Sequence, residues 1–194
     1  MCIRDRGNCS ENEYKELFRF TVDYLRDVKE IHHLLYAFSP DRSQLRLDST
    51  ATENYMYGYP GDEYVDIIGL DNYGDVGRSG PVTEKDRYNF TEALKLITAI
   101  SRDKNKVAAL TETGLEGVKI HNWFTDIILK PLIENQDDIA IAWILVWRNA
   151  NTKHHYASYK GHESVADFQK FRDNSDIFFL NDLKKAYRKN KMLK

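Results

Sequence analysis

Val65-Asp66-Ile67-Ile68-Gly69-Leu70 runs without a break into Asp71-Asn72-Tyr73-Gly74-Asp75. A short, nearly apolar run that opens after the Pro60-Gly61-Asp62 turn and empties into a polar loop has the form of a buried strand. The same form recurs along the chain. His33-Leu34-Leu35-Tyr36-Ala37-Phe38 ends in Ser39-Pro40-Asp41, Lys106-Val107-Ala108-Ala109-Leu110 ends in Thr111-Glu112-Thr113-Gly114, and the run from Ile139 to Trp147 ends in Arg148-Asn149.

Helical patterns separate these runs. Ser10 and Glu13 form a capping box ahead of Tyr14, Leu17, Phe18, Leu25 and Val28, which predicts a helix from about Ser10 to Glu30. Thr83 caps a second, in which Phe90, Ala93, Leu94, Ile97 and Ile100 keep the i, i+3, i+4 rhythm up to Arg102. A third is expected near Asn122 to Glu134, and a helical tail rich in Lys and Arg closes the chain. The stretch between Asp41 and Pro60 reads as helix or loop. Apolar strands alternating with helices indicate an α/β protein whose parallel sheet is covered on both faces.

Every strand ends, on its C-terminal side, in chemically capable groups, and that is the face on which a β/α barrel builds its active site. An open doubly wound sheet uses the same end, but no Gly-x-Gly-x-x-Gly and no phosphate loop follows any strand here. The barrel is the favoured architecture.

Composition removes other classes. With 28 Lys plus Arg against 30 Asp plus Glu, the net charge of −2 lacks the electrostatic footprint of a nucleic-acid or anionic-membrane binder. The longest apolar stretch, Ile139 to Trp147, is far short of the roughly 20 residues that cross a bilayer. Twelve Tyr and three Trp suit either a large core or a surface on which flat apolar ligand faces stack. Cys2 and Cys9 are too close to the start to brace the fold. The segment Met1 to Gly7 has no apolar h-region and reads as a start foreign to the domain, which places the domain itself at residues 10–194.

Glu112, between two Thr and ahead of Gly114, sits where a nucleophile or base belongs, and a helix-capping or ion-paired Glu is the competing reading of that position. Its company decides. Asp71, Tyr73, Trp147, Arg148 and Asn149 belong to neighbouring strand ends: a phenol donates to a carboxylate, an indole stacks on a sugar, and Arg and Asn bind hydroxyls. Together they describe a carbohydrate site.

Five stretches then carry a resemblance. Leu35-Tyr-Ala-Phe-Ser-Pro-Asp41, Tyr59-Pro-Gly-Asp-Glu-Tyr-Val-Asp-Ile-Ile-Gly-Leu-Asp-Asn-Tyr73, Ala109-Leu-Thr-Glu-Thr-Gly114, Trp147-Arg-Asn-Ala150 and Gly161-His-Glu-Ser164 resemble, in order and spacing, the C-terminal half of glycoside hydrolase family 26 β-mannanases. The resemblance runs over about Phe20 to Lys185. It implies a (β/α)8 TIM barrel, of which this chain carries about strands 5 to 8. It also implies retaining, endo-acting cleavage of β-1,4-mannosidic bonds in mannan, galactomannan or glucomannan, with a nucleophile on strand seven and an acid/base Glu on strand four.

Carried over residue by residue, the resemblance makes Glu112 the nucleophile and Tyr73 its hydrogen-bond donor. Trp147 becomes the platform beneath the cleaved sugar, Arg148 a glycone-side contact, and Asp71 a group that orients its polar neighbours. Asn149 is kept with the substrate-binding residues, although for Asn149, Asp41 and His162 a structural role weighs more. The adjacent pair His154 and His155, with His162, has no further ligand placed by pattern, so neither metal nor cofactor is expected.

The first strand found, at His33, matches strand five. The acid/base Glu and the N-terminal half of the barrel are therefore expected to be missing, and the chain alone to be inactive on mannan. The implied partners are β-mannan polysaccharide or manno-oligosaccharides, and the implied location is extracellular, periplasmic or cell-surface. Two alternatives accompany this reading: a relative acting on mixed-linkage glucan or β-1,3-xylan, and a non-catalytic carbohydrate-binding remnant.

Overall fold

The computed structural model describes residues 9–183. Residues 1–8, within the start expected to be foreign, and the Lys- and Arg-rich tail beyond residue 183 lie outside the described residues. Helix α1 (Glu11–Asp23) begins on the expected capping box, with the Ser10 amide donating to Glu13 Oε2 at 2.6 Å, and it continues as a π-helical turn over Tyr24–Val28. There follow β1 (Ala37–Phe38), α2 (Ala51–Met56), β2 (Ile67–Asn72), α3 (Glu84–Asp103), β3 (Val107–Thr113), a π-helical stretch Trp123–Leu129 leading into α4 (Lys130–Glu134), β4 (Ile144–Val146) and α5 (Val165–Arg172).

The four strands are all parallel and are arranged in sequence order, β1-β2-β3-β4. A doubly wound sheet reverses its strand order and carries helices on both sides. Neither feature is present among the described residues. Phe38, Ile68, Leu70, Ala108 and Leu110 join one core with Phe90, Leu94 and Ile97 of α3 and Trp123, Phe124 and Phe171 beyond it. The alternate residues Ile67 and Ala109 are buried but lie outside that core. Helices thus cover one face of the sheet, and the expectation of two covered faces is corrected. The fold is part of a (β/α) barrel, in which the second face of the sheet is the barrel interior.

Strand lengths depart from the sequence reading at the sheet ends. The apolar run starting at His33 pairs only through Ala37 and Phe38, and Leu35 ahead of them is 71% exposed. At the other end β4 keeps three residues of the nine from Ile139 to Trp147, although Trp147 also donates its amide to the Thr113 carbonyl at 3.0 Å. End strands lack a neighbour on one side, so their ladders are incomplete. The central pair follows the pattern, with every residue of β2 buried.

Gly69 decides the shape of the concave face. A Cβ there would lie 2.6 Å from Thr111 Cγ2 and 2.9 Å from Ser39 Cβ. With no side chain on β2 at this level, the Ser39 and Thr111 hydroxyls meet across it and hydrogen-bond, and Thr111 Oγ1 also donates to the Leu70 carbonyl at 2.9 Å.

Candidate active site

Glu112 owes its place to a bulge. Gly69 pairs with Ala109 and Asp71 pairs with Glu112, so two steps along β2 match three along β3. Strict alternation from Ala109 would turn Thr111 to the concave face and Glu112 away from it. The extra residue resets the count, so Thr111 and Glu112 both serve the concave side, while Thr113 pairs with Asn72 and donates its hydroxyl to the Asn72 carbonyl at 2.6 Å. Glu112 is 9% exposed, in register beside Asp71.

Asp41, Asp71, Tyr73, Glu112, Trp147 and Tyr156 line one open cavity of about 760 Å³ at the C-terminal ends of the strands. Four of the six residues predicted from sequence are therefore brought together. The other two stand apart. Arg148 is exposed and does not line the cavity, although it stands close enough to act electrostatically on Tyr156. Asn149 uses its carboxamide on the following loop: Oδ1 accepts from the Tyr156 and Ala157 amides at 2.9 and 3.0 Å, and Nδ2 donates to the Ala157 carbonyl at 3.1 Å. Asn149 is thus a loop anchor in this structure, the structural role that its sequence reading weighted more.

Asp41 and His162, given the same structural weighting as Asn149, also hold structural partners. Asp41 caps the short turn Arg42–Gln44 through a bond from the Ser43 amide at 2.7 Å. His162 lies outside the cavity, with Nε2 3.3 Å from His155 Nε2 and Nδ1 2.8 Å from Ser164 Oγ. Among the described residues no three His, Cys, Asp or Glu gather to hold a metal ion.

Several site residues escaped sequence reasoning. Arg42 Nε donates to Asp75 Oδ2 at 2.7 Å, with both side chains largely buried, and Asn72 Nδ2 donates to the same oxygen at 3.0 Å. This cluster ties the loop after β1 to the loop after β2. Arg78 lies over the Tyr73 ring at 5.5 Å, within cation–π range. Tyr156 meets Tyr73 edge-on, with ring centroids 6.2 Å apart, and Glu116 Oε1 lies 2.6 Å from His154 Nδ1 at the cavity rim. Burial pushes the Tyr156 phenol above its ordinary pKa, Glu116 adds to this, and Arg78 and Arg148 oppose it, so its hydroxyl stays protonated at neutral pH. The only advance signal for Tyr156 was Gly114: its φ is +140°, and a Cβ there would lie 2.7 Å from Tyr156 Cδ1.

A parallel sheet wound in one direction, with a buried carboxylate, a phenol and an indole around a cavity at its strand ends, has the architecture of part of a β/α barrel. The sequence matches glycosyl hydrolase family 26 over residues 5–169, and the chain belongs to that family. It is 34% identical over 182 residues to a mannan endo-1,4-beta-mannosidase of Bifidobacterium adolescentis, covering 87% of this chain and 17% of that protein. GH26C from Muricauda superposes with a TM-score of 0.79 at 30% identity, covering 90% of this chain and 45% of the other. A GH26 beta-mannanase of Bacteroides ovatus gives a TM-score of 0.75 at 35% identity, with 90% and 46% covered. The chain therefore spans less than half the length of each of these relatives.

Proposed function

We propose that this chain carries the nucleophile-bearing half of a retaining endo-β-1,4-mannanase site, acting on β-mannan or manno-oligosaccharides outside the cytoplasm. The observation that carries the reading is the β3 bulge, which brings Glu112 beside Asp71 in the cavity that Tyr73 and Trp147 also line. Similarity to mannan endo-1,4-beta-mannosidases supports the choice of substrate.

In the proposed reaction a Glu112 carboxylate oxygen attacks the anomeric carbon of a mannosyl unit stacked on Trp147. The glycosidic C–O bond breaks, and the electron pair leaves on the departing oxygen. Tyr73 donates to the other Glu112 oxygen, which keeps the carboxylate ionised and fixes its direction of approach. Water then attacks the anomeric carbon of the mannosyl ester, passing its proton to the acid/base carboxylate that the family resemblance implies, which frees Glu112 and restores the β configuration. Retention needs a second carboxyl about 5–5.5 Å from the nucleophile to protonate the leaving oxygen, and the family resemblance puts that Glu on strand four, ahead of β1. The isolated chain accordingly leaves mannan uncleaved, because an unprotonated sugar alkoxide is a poor leaving group.

A substrate that needs no acid tests this directly. In 2,4-dinitrophenyl 2-deoxy-2-fluoro-β-mannobioside the phenolate departs unaided, while the fluorine slows hydrolysis of the ester. The chain is expected to gain one mannobiosyl unit on the peptide containing Glu112, seen by mass spectrometry, with none on Glu112→Gln. Labelling elsewhere, or equal labelling of the variant, refutes the nucleophile. Release of manno-oligosaccharides from mannan by the chain alone refutes its need for an outside acid.

A further inference from the structure

Tyr156 stands on a loop well past the last strand, yet it reaches the centre of the site. Asn149 makes this possible: one carboxamide, three residues after Val146 ends β4, binds the Tyr156 amide and both polar backbone groups of Ala157. The loop is fastened a second time where the Gly117 amide donates to the His155 carbonyl at 2.8 Å, just beyond β3. Between these two ties the Tyr156 ring lies on Gly114, where no other residue leaves room, and presents its edge geometry to Tyr73 at an interplanar angle of 77°. Arg78 takes the face of the same Tyr73 ring.

The Tyr73 ring is thus confined by a cation over its face and by a second aromatic ring beside it. A phenol used to orient a carboxylate must point its O–H within narrow limits, and its own χ angles do not impose them. We propose that Tyr156, locked in place by Asn149 and Gly114, is a positioning residue that fixes the direction of the Tyr73 hydroxyl toward Glu112. This rests on the functional reading above for the role of Tyr73, while the contact itself does not depend on it. The ring of Tyr156 does the positioning, and its hydroxyl is dispensable for it.

The test uses the whole chain and the fluorinated mannobioside, with the rate constant of labelling and the half-saturating concentration measured separately. Tyr156→Ala is expected to lower the rate constant about five- to tenfold, as expected for loss of one aromatic edge contact at the reacting centre. Tyr156→Phe restores it to within about twofold, and Asn149→Ala reproduces the alanine result. In a Tyr73→Phe background Tyr156→Ala adds nothing further, because the two act through one hydroxyl. A chain that merely folds less well loses labelled fraction, not rate constant.

A wild-type rate constant in Tyr156→Ala overturns the proposal, as does an equal loss in Tyr156→Phe or full additivity with Tyr73→Phe. A second readout is independent of chemistry. With 3-fluorotyrosine incorporated, the Tyr73 resonance is expected to be single in the native chain and in Tyr156→Phe, and split or broadened in Tyr156→Ala. An unchanged Tyr73 resonance in Tyr156→Ala overturns the positioning role even if no labelling occurs in any form, an outcome that by itself refutes only the proposed function.

Discussion

Gly69→Ala gives a sharp test of how the concave face is built. The added methyl would lie 2.6 Å from Thr111 Cγ2, 2.8 Å from Thr111 Oγ1 and 2.9 Å from Ser39 Cβ. Gly69 lies within β2 and has no positive φ, so the substitution adds no backbone strain and its whole effect is steric. Forcing a methyl into a closed space costs about 1–3 kcal/mol. Parting the Ser39 and Thr111 hydroxyls, which bond across the glycine, adds about 0.5–1.5 kcal/mol. The expected loss is about 1.5–4.5 kcal/mol in urea unfolding followed by tryptophan fluorescence. The functional effect is also specific, because Thr111 precedes Glu112 inside the bulge, and displacing it turns the proposed nucleophile. Labelling by the fluorinated mannobioside is expected to fall with stability. Thr111→Ala removes two of the three clashing atoms, so the double variant is expected to recover at least about 1 kcal/mol relative to the sum of the two single losses. A Gly69→Ala loss below about 0.5 kcal/mol, or additivity with Thr111→Ala, refutes the account of a face closed across β2.

Three further outcomes follow from other contacts. Arg42→Ala leaves the Asp75 carboxylate largely buried with Asn72 still donating to it, which places the expected loss near the lower limit for a broken buried pair, about 3 kcal/mol by chemical denaturation; Arg42→Met with Asp75→Leu recovers most of it. Thr83→Ala removes the N-cap of α3 at a cost of about 1 kcal/mol. The bond from the Thr83 hydroxyl lowers the Asp86 pKa, so this contribution is complete above the ordinary carboxylate value and fades as the pH falls through the lower folded value; a thermal-denaturation series below about pH 4 is expected to flatten in Thr83→Ala. Leu35 beside β1 is 71% exposed and Leu145 on β4 is 44% exposed, at opposite ends of the sheet, so the chain is expected to self-associate through these edges and Leu35→Lys with Leu145→Lys to suppress it; sedimentation showing a monomer at every concentration refutes this.

Local rules made much of this protein legible before its tertiary structure. Ser10 with Glu13, and Thr83 by itself, announce their helices because a cap is satisfied within four residues, and both caps form, the second completed by Asp86. The runs feeding Asp71, Glu112 and Trp147 announce strands because burial on both faces demands continuous apolar sequence. Polar residues directly after such runs mark the binding end, and four of the six predicted site residues meet there. The extent of the end strands was not legible, since apolar residues at an unpaired edge look the same in sequence as those of a fully paired strand. A structural role for Asn149 was legible, but its partners, Tyr156 and Ala157, were not, because they are fixed by the return of a loop and not by any period.

Glu112 itself divides the two kinds of information. Its sequence position, at the exit of an apolar strand and ahead of a glycine, determined that a carboxylate stands at the binding end of a β/α unit. The direction in which that carboxylate serves was decided only in three dimensions. Alternation along an ideal strand turns it away from the concave face, and the bulge opposite Asp71 turns it back. A bulge is a property of two paired strands, set by the register that Gly69 and its neighbours on either side permit, and a single strand read by itself contains no register.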